Sequence, residues 1–169
     1  MEYFIVELDR RLNSIGGAIT FPETVLKGFE YANPQETAYV SSGQEIEYSC
    51  FIERPVLLFS EDFRRVITSF EPDLEHKTVV VMDLKRHIQV PYSLMNFKEI
   101  PCLLQNSTTA KIGEFVIDES RVPGLKIFKI PYYRSSLLVV RLDVAEGLLR
   151  KSLRGLKLRR ILSVEGEFK

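Results

Sequence analysis

The stretch Ser136-Leu-Leu-Val-Val-Arg141-Leu-Asp143-Val-Ala-Glu146-Gly-Leu-Leu149-Arg150 changes its period halfway along. Leu137–Val140 is an unbroken apolar run, the pattern of a strand buried on both faces. From Asp143 the spacing turns helical. Asp143-Val-Ala-Glu146 has the form of a capping box with Asp in place of Ser or Thr, and Ala145, Leu148, Leu149, Ser152 and Leu153 fall on the inward side. Arg150, Lys151 and Arg154 suit a helix C-terminus, and Gly155 suits the residue just beyond it. Residues 156–164 return as a strand with Leu156, Leu158, Leu162 and Val164 on one face, interrupted by Arg160. The stretch predicts a strand-helix-strand unit.

The same grammar occurs earlier. Val56-Leu-Leu-Phe59 reads as a buried strand, Ser60 as an N-cap, and Glu61 and Asp62 as first-turn acids favoured by the helix dipole. Phe63, Val66, Ile67 and Phe70 then form one apolar stripe that Pro72 ends, and Thr78-Val-Val-Val-Met82 predicts a central strand. Setting Phe63 on Val144 also sets Ile67 on Leu148 and Val80 on Ile161. This is a strand-helix-strand self-similarity about eighty residues apart, open to reading as a duplication or as two ordinary units.

Elsewhere, Tyr3–Leu8 predicts a first strand, Pro22–Gly28 one or two helical turns opened by Pro and closed by Gly, and residues 88–92 and 125–130 short strands. Pro91, Pro123 and Pro131 suggest sheet edges or abrupt exits. Turn signals stand at residues 13–17, 33–34 and 41–43, and Gln105–Thr109 reads as a polar loop. With 169 residues and no spacer, residues 1–169 are expected to form a single α+β domain, with a mainly antiparallel or mixed sheet and a few short helices.

Composition excludes more than it assigns. Lys plus Arg and Asp plus Glu each number 23, so net charge directs the chain to no partner. Cys50 and Cys102 both sit in apolar contexts, which suits free thiols in a reducing cytoplasm. No apolar run approaches membrane-spanning length, and the first residues lack the pattern of a signal peptide. His76 and His87 stand at no zinc-site spacing from each other or from the cysteines, so no metal is expected. Gly-x-Ser-x-Gly, Gly-x-x-x-x-Gly-Lys and Gly-x-Gly-x-x-Gly are absent, which removes the usual anchors of a hydrolase or a nucleotide cofactor. The acidic pairs Glu61-Asp62 and Asp118-Glu119 read as helix-start and surface-turn chemistry.

Charge is unevenly spread along the chain. Residues 23–62 are acidic and residues 141–160 are basic. The basic segment lacks interleaved aromatics and a helix-turn-helix reader, so nucleic acid is not the expected partner.

The segments Ile127-Phe-Lys-Ile130, Leu138-Val-Val140, Asp143-Val-Ala-Glu-Gly-Leu-Leu149 and Arg154-Gly-Leu-Lys-Leu158 resemble the closing strand-helix-Gly-strand pattern of a bacterial immunity-protein family. Pro55-Val-Leu-Leu-Phe-Ser60 and Glu71-Pro-Asp73 resemble an earlier segment of such proteins. The resemblance covers the latter two-thirds of the chain. It implies a cytoplasmic, non-enzymatic protein that neutralises a polymorphic toxin by direct binding, without cofactor or catalytic residue. Two alternatives stand beside it: a small enzyme with an unrecognised pocket, and a nucleic-acid-associated module using the basic C-terminal segment.

The expected binding surface is the stretch Glu45–Glu53. Alternation there places Ile46, Tyr48, Cys50 and Ile52 on one face, and Glu45, Glu47, Ser49, Phe51 and Glu53 on the other. Phe51 ringed by Glu45, Glu47 and Glu53 would anchor a partner with a basic surface. A second layer covering this face would bury Phe51 instead.

Overall fold

The β-branched run at Thr78–Met82 forms the heart of an interior strand, and the sheet around it is built largely from its neighbours in sequence. The computed structural model describes residues 1–12, 14–41, 43, 45–104 and 115–166, so the polar loop at 105–109 lies outside the described residues. In chain order the elements are β1 (Tyr3–Leu8), β2 (Ile19–Thr20), α1 (Glu23–Leu26), β3 (Gln35–Val40), β4 (Phe51–Ile52), β5 (Leu58–Ser60), α2 (Glu61–Phe70), β6 (His76–Asp83) and β7 (Ile88–Met95). There follow β8 (Val116–Asp118), β9 (Ile127–Tyr132), β10 (Ser135–Arg141), α3 (Leu142–Arg150) and β11 (Leu156–Val164). The class is α+β with mixed sheets. Within the 1–169 stretch treated above as one domain, the chain divides into two compact units.

One unit takes in Leu8–Asn96 and Lys151–Leu156. Its sheet runs β2-β3-β6-β7-β5-β4, with β3 and β6 parallel and the other neighbours antiparallel. Ala38, Ile52, Leu58, Val79, Val81 and Tyr92 fill one core with Phe21 and Val25. On the opposite face Phe51, Phe59 and Phe63 of α2 pack together. Ser60 caps α2, its hydroxyl accepting the Phe63 N–H at 3.3 Å. Gly16 permits a close approach, because a Cβ there would lie 1.6 Å from the Arg54 carbonyl oxygen.

The other unit takes in Met1–Glu7, Phe97–Arg150 and Lys157–Lys169. Its sheet runs β8-β11-β1-β10-β9, with β8 and β11 parallel and β10 antiparallel to both β1 and β9. Tyr3, Ile5, Phe128, Ile130, Val139 and Ile161 belong to its core, with Ile100, Cys102 and Val122.

The two sheets follow one plan. Reading β8, β11, β1, β10, β9 against β3, β6, β7, β5, β4 matches every neighbour in order. The parallel pair matches the parallel pair, and each helix joins equivalent strands, α2 between β5 and β6 and α3 between β10 and β11. The edge pairing of β2 with β3 has its counterpart in the antiparallel bridge from Leu103 to Ile117 of β8. The helices open at Glu61 and Leu142, the same spacing that sets Phe63 on Val144 and Ile67 on Leu148. The self-similarity in sequence therefore corresponds to a repeated topology. The position held in one sheet by β7, the hairpin partner of β6, is held in the other by β1, which comes from the far end of the chain.

Several sequence expectations change. The predicted strand Glu45–Glu53 shortens to Phe51–Ile52. Phe51 is 1% exposed rather than an outward anchor, because α2 forms a second layer over its face. The capping box does not form. Helix α3 opens two residues early at Leu142, and the Asp143 carboxylate instead pairs with Arg141 at 2.7 Å. The buried face is made by Val144, Ala145 and Leu148, while Leu149 is 58% exposed and Ser152 exposed. The helix ends at Arg150, well before Gly155, and Ser152 takes the left-handed φ of 49°. In β11 the buried residue is Ile161, on the face opposite Leu162 and Val164, which are 46% and 38% exposed. Pro91 marks no edge, since β7 is interior. It lies just past the point where β5 ends with Ser60 opposite Tyr92, so no strand needs its missing N–H. Pro131 does lie on an edge strand, β9.

Candidate functional site

The expected acidic surface is only partly available. Glu45 and Glu47 are exposed, and Glu47 pairs with Arg154. Half-buried Glu53 turns inward, its Oε1 accepting the Leu8 N–H at 2.9 Å, so its charge serves the backbone. Phe51 lies in the core. The four residues therefore do not form a carboxylate ring around an exposed aromatic.

The basic C-terminal segment is largely neutralised within the chain. Arg141 pairs with Asp143, Arg150 with Glu146, Arg154 with Glu47, Lys157 and Arg159 with Glu7, and Arg160 with Glu2. Each pair is exposed enough to contribute little to stability. Together they leave the segment a weaker phosphate-binding surface than its sequence suggests.

The two thiols are withdrawn from nucleophilic work. Burial pushes the Cys50 thiol up to about 12 and the Cys102 thiol up to about 11, far from the thiolate a nucleophile requires. Burial, followed by the charge of Arg64, holds His76 below its ordinary value. His87 takes a left-handed φ of 54° in the turn between β6 and β7. A cavity of about 210 Å³ opens beside that turn, lined by Ser41, Asp83, Lys85 and Arg86 among others. Its carboxylate is engaged: Asp83 accepts the Arg86 N–H at 3.0 Å and pairs with the guanidinium at 3.1 Å. Among the described residues no group of three or more His, Cys, Asp or Glu is placed to hold a metal, and no helix is long and apolar enough to cross a membrane.

The most distinctive surface feature is the turn between β9 and β10. Tyr132 pairs with Ser135, leaving Tyr133 and Arg134 as a two-residue loop. Such loops need a left-handed residue, normally Gly or Asn, yet here Tyr133 adopts φ 51°. A bulky residue in this region costs about 1–3 kcal/mol, and Tyr133 is 92% exposed. Tyr133 meets Tyr132 edge-on at 4.6 Å, and Tyr132 meets Phe115 edge-on at 5.1 Å. The Arg159 guanidinium lies 4.9 Å from the Phe115 ring centroid and bonds Glu7 at 2.6 Å. Tyr133 thus stands exposed beside its neighbour Tyr132, with exposed Arg134 next to it. Sequence reasoning passed over it, although Tyr132-Tyr133-Arg134 between two β-patterned runs was the available signal.

Compared with known proteins, the chain matches no family model and no curated relative.

Proposed function

We propose that the chain is a non-enzymatic binding protein acting by direct contact with a protein partner. The partner class that the immunity-protein resemblance implies is a bacterial toxin. The observation that carries this reading is Tyr133, a strained and almost fully exposed aromatic at a hairpin tip. Tyrosine and arginine are enriched among residues that dominate protein interfaces, and a tyrosine supplies a large contact area with only two side-chain torsions to fix on binding. Backbone strain at an exposed position gains nothing for folding, and a glycine would relieve it. Its presence is accounted for if the ring is needed outside. Exposed Glu45 and Glu47 would steer encounter with a basic partner rather than anchor it. Two buried free thiols suit action in a reducing cytoplasm.

The test is binding to the product of the gene adjacent to the one encoding this chain, measured by calorimetry for the native protein and for Tyr133→Ala. The expected result is tight binding by the native chain and a loss of about 2 kcal/mol or more in the variant, with folding intact. Equal affinity of the two would remove Tyr133 from the interface.

A further inference from the structure

We propose that β1 is a transferable strand. Two copies of this chain can trade their Tyr3–Leu8 segments, each filling the slot between β10 and β11 of the other, to give a closed strand-exchanged dimer. The slot is demanding. β1 lies in the interior of its sheet with Tyr3, Ile5 and Val6 buried, and Tyr3, Phe4 and Ile5 pair with Arg141, Val140 and Val139. Without β1 the sheet would present two open strand edges facing one gap, an arrangement that recruits any strand of matching pattern. The best match is another Tyr3–Leu8.

The slot between β10 and β11 is topologically equivalent to the one between β5 and β6. β7 fills the latter through the hairpin it makes with β6, whereas β1 reaches its slot from the other end of the chain. A repeat whose sheet is completed from elsewhere has no need for the donor to belong to the same molecule. The contacts β1 makes within its slot, including the Arg160–Glu2 pair at 2.7 Å and the bond from Leu142 N–H to the Glu2 carbonyl at 3.0 Å, are the same in either arrangement. The two states then differ in the bonds of the Leu8 N–H to Glu53 and the Asp9 N–H to Gly155, in the connection that follows and in the entropy of association, so chain concentration during folding selects between them. That connection begins with a small turn, in which Leu12 N–H bonds the Asp9 carbonyl at 2.9 Å and Arg11 N–H bonds the Asp9 carboxylate at 3.0 Å.

The test uses full-length chains. Glu2→Cys and Arg160→Cys are made separately, since both positions are at the surface whereas the native thiols are buried. The two variants are unfolded, mixed, refolded at high concentration and treated with a short bismaleimide. A parallel sample mixes them already folded. Exchange predicts a covalent species of doubled mass joining residue 2 of one variant to residue 160 of the other, identified by peptide mass mapping, in the co-refolded sample and not in the folded mixture. Native chains refolded over the same concentrations and followed by light scattering should show a concentration-dependent doubling of mass, which covers the case of a variant that fails to fold. Native chain that stays monomeric at every concentration would overturn the proposal, as would a dimer of folded variants lacking the cross-link from 2 to 160.

Discussion

Phe51 stacks on Phe59 across the β4–β5 pair, ring centroids 6.1 Å apart and planes 21° apart, and Phe63 of α2 closes on Phe59 at 4.7 Å. This trio joins helix to sheet, so Phe51→Ala should destabilise by about 3–5 kcal/mol, read as a lower denaturant midpoint. A midpoint close to the native one would mean that the cluster is not a core.

Leu148 and Leu149 are adjacent in sequence and opposite in environment, the first buried and the second mostly exposed. Leu148→Ala should cost about 2–5 kcal/mol, and Leu149→Ala should stay within about 0.5 kcal/mol of the native chain. Comparable losses at the two positions would restore the inward face expected from the sequence and contradict the exposure of Leu149.

Burial alone would raise the Asp83 carboxyl, but the bonds from the Arg86 N–H and guanidinium outweigh it and hold the group below the usual carboxylate range. A carboxyl more acidic folded than unfolded contributes stability that is fully present above its unfolded value and disappears as pH falls through its folded value. The denaturant midpoint of the native chain should therefore decline more steeply in acid than that of Asp83→Asn, and the two should converge at the acid end. Parallel curves would show that Asp83 has no such role.

Both thiols should react slowly with a disulfide reagent at mildly alkaline pH and quickly once the chain is unfolded, because burial disfavours their thiolates. Fast reaction of Cys50 in the native chain would place it at the surface and revive it as a nucleophile.

Legibility followed the range of the physics. The N-cap at Ser60, the apolar stripe of α2, the interior strand at Thr78–Met82 and the limits of β1 and β11 are set by local pattern, and local pattern is what a sequence displays. Leu149 was misplaced because Asp143 has the spacing of a cap while its carboxylate finds Arg141 two residues away. Phe51 was open to two readings because alternation separates two faces without telling whether both are covered. The placement of β1 beside β10 depends on pairing across most of the chain and leaves no local trace. Tyr133 was missed for a different reason. A two-residue turn calls for Gly or Asn, and a tyrosine there becomes informative only once its φ is known.

The claim that this chain acts by holding a protein partner is tested most directly by titrating it with the purified product of the adjacent gene and repeating the titration with Tyr133→Ala and with Tyr133→Gly. The account predicts saturable binding by the native chain and affinity lower by about 2 kcal/mol or more in both variants. It also predicts equal or greater thermal stability for Tyr133→Gly, since glycine relieves the left-handed strain. Absence of binding by the native chain, or full affinity in both variants, would contradict it.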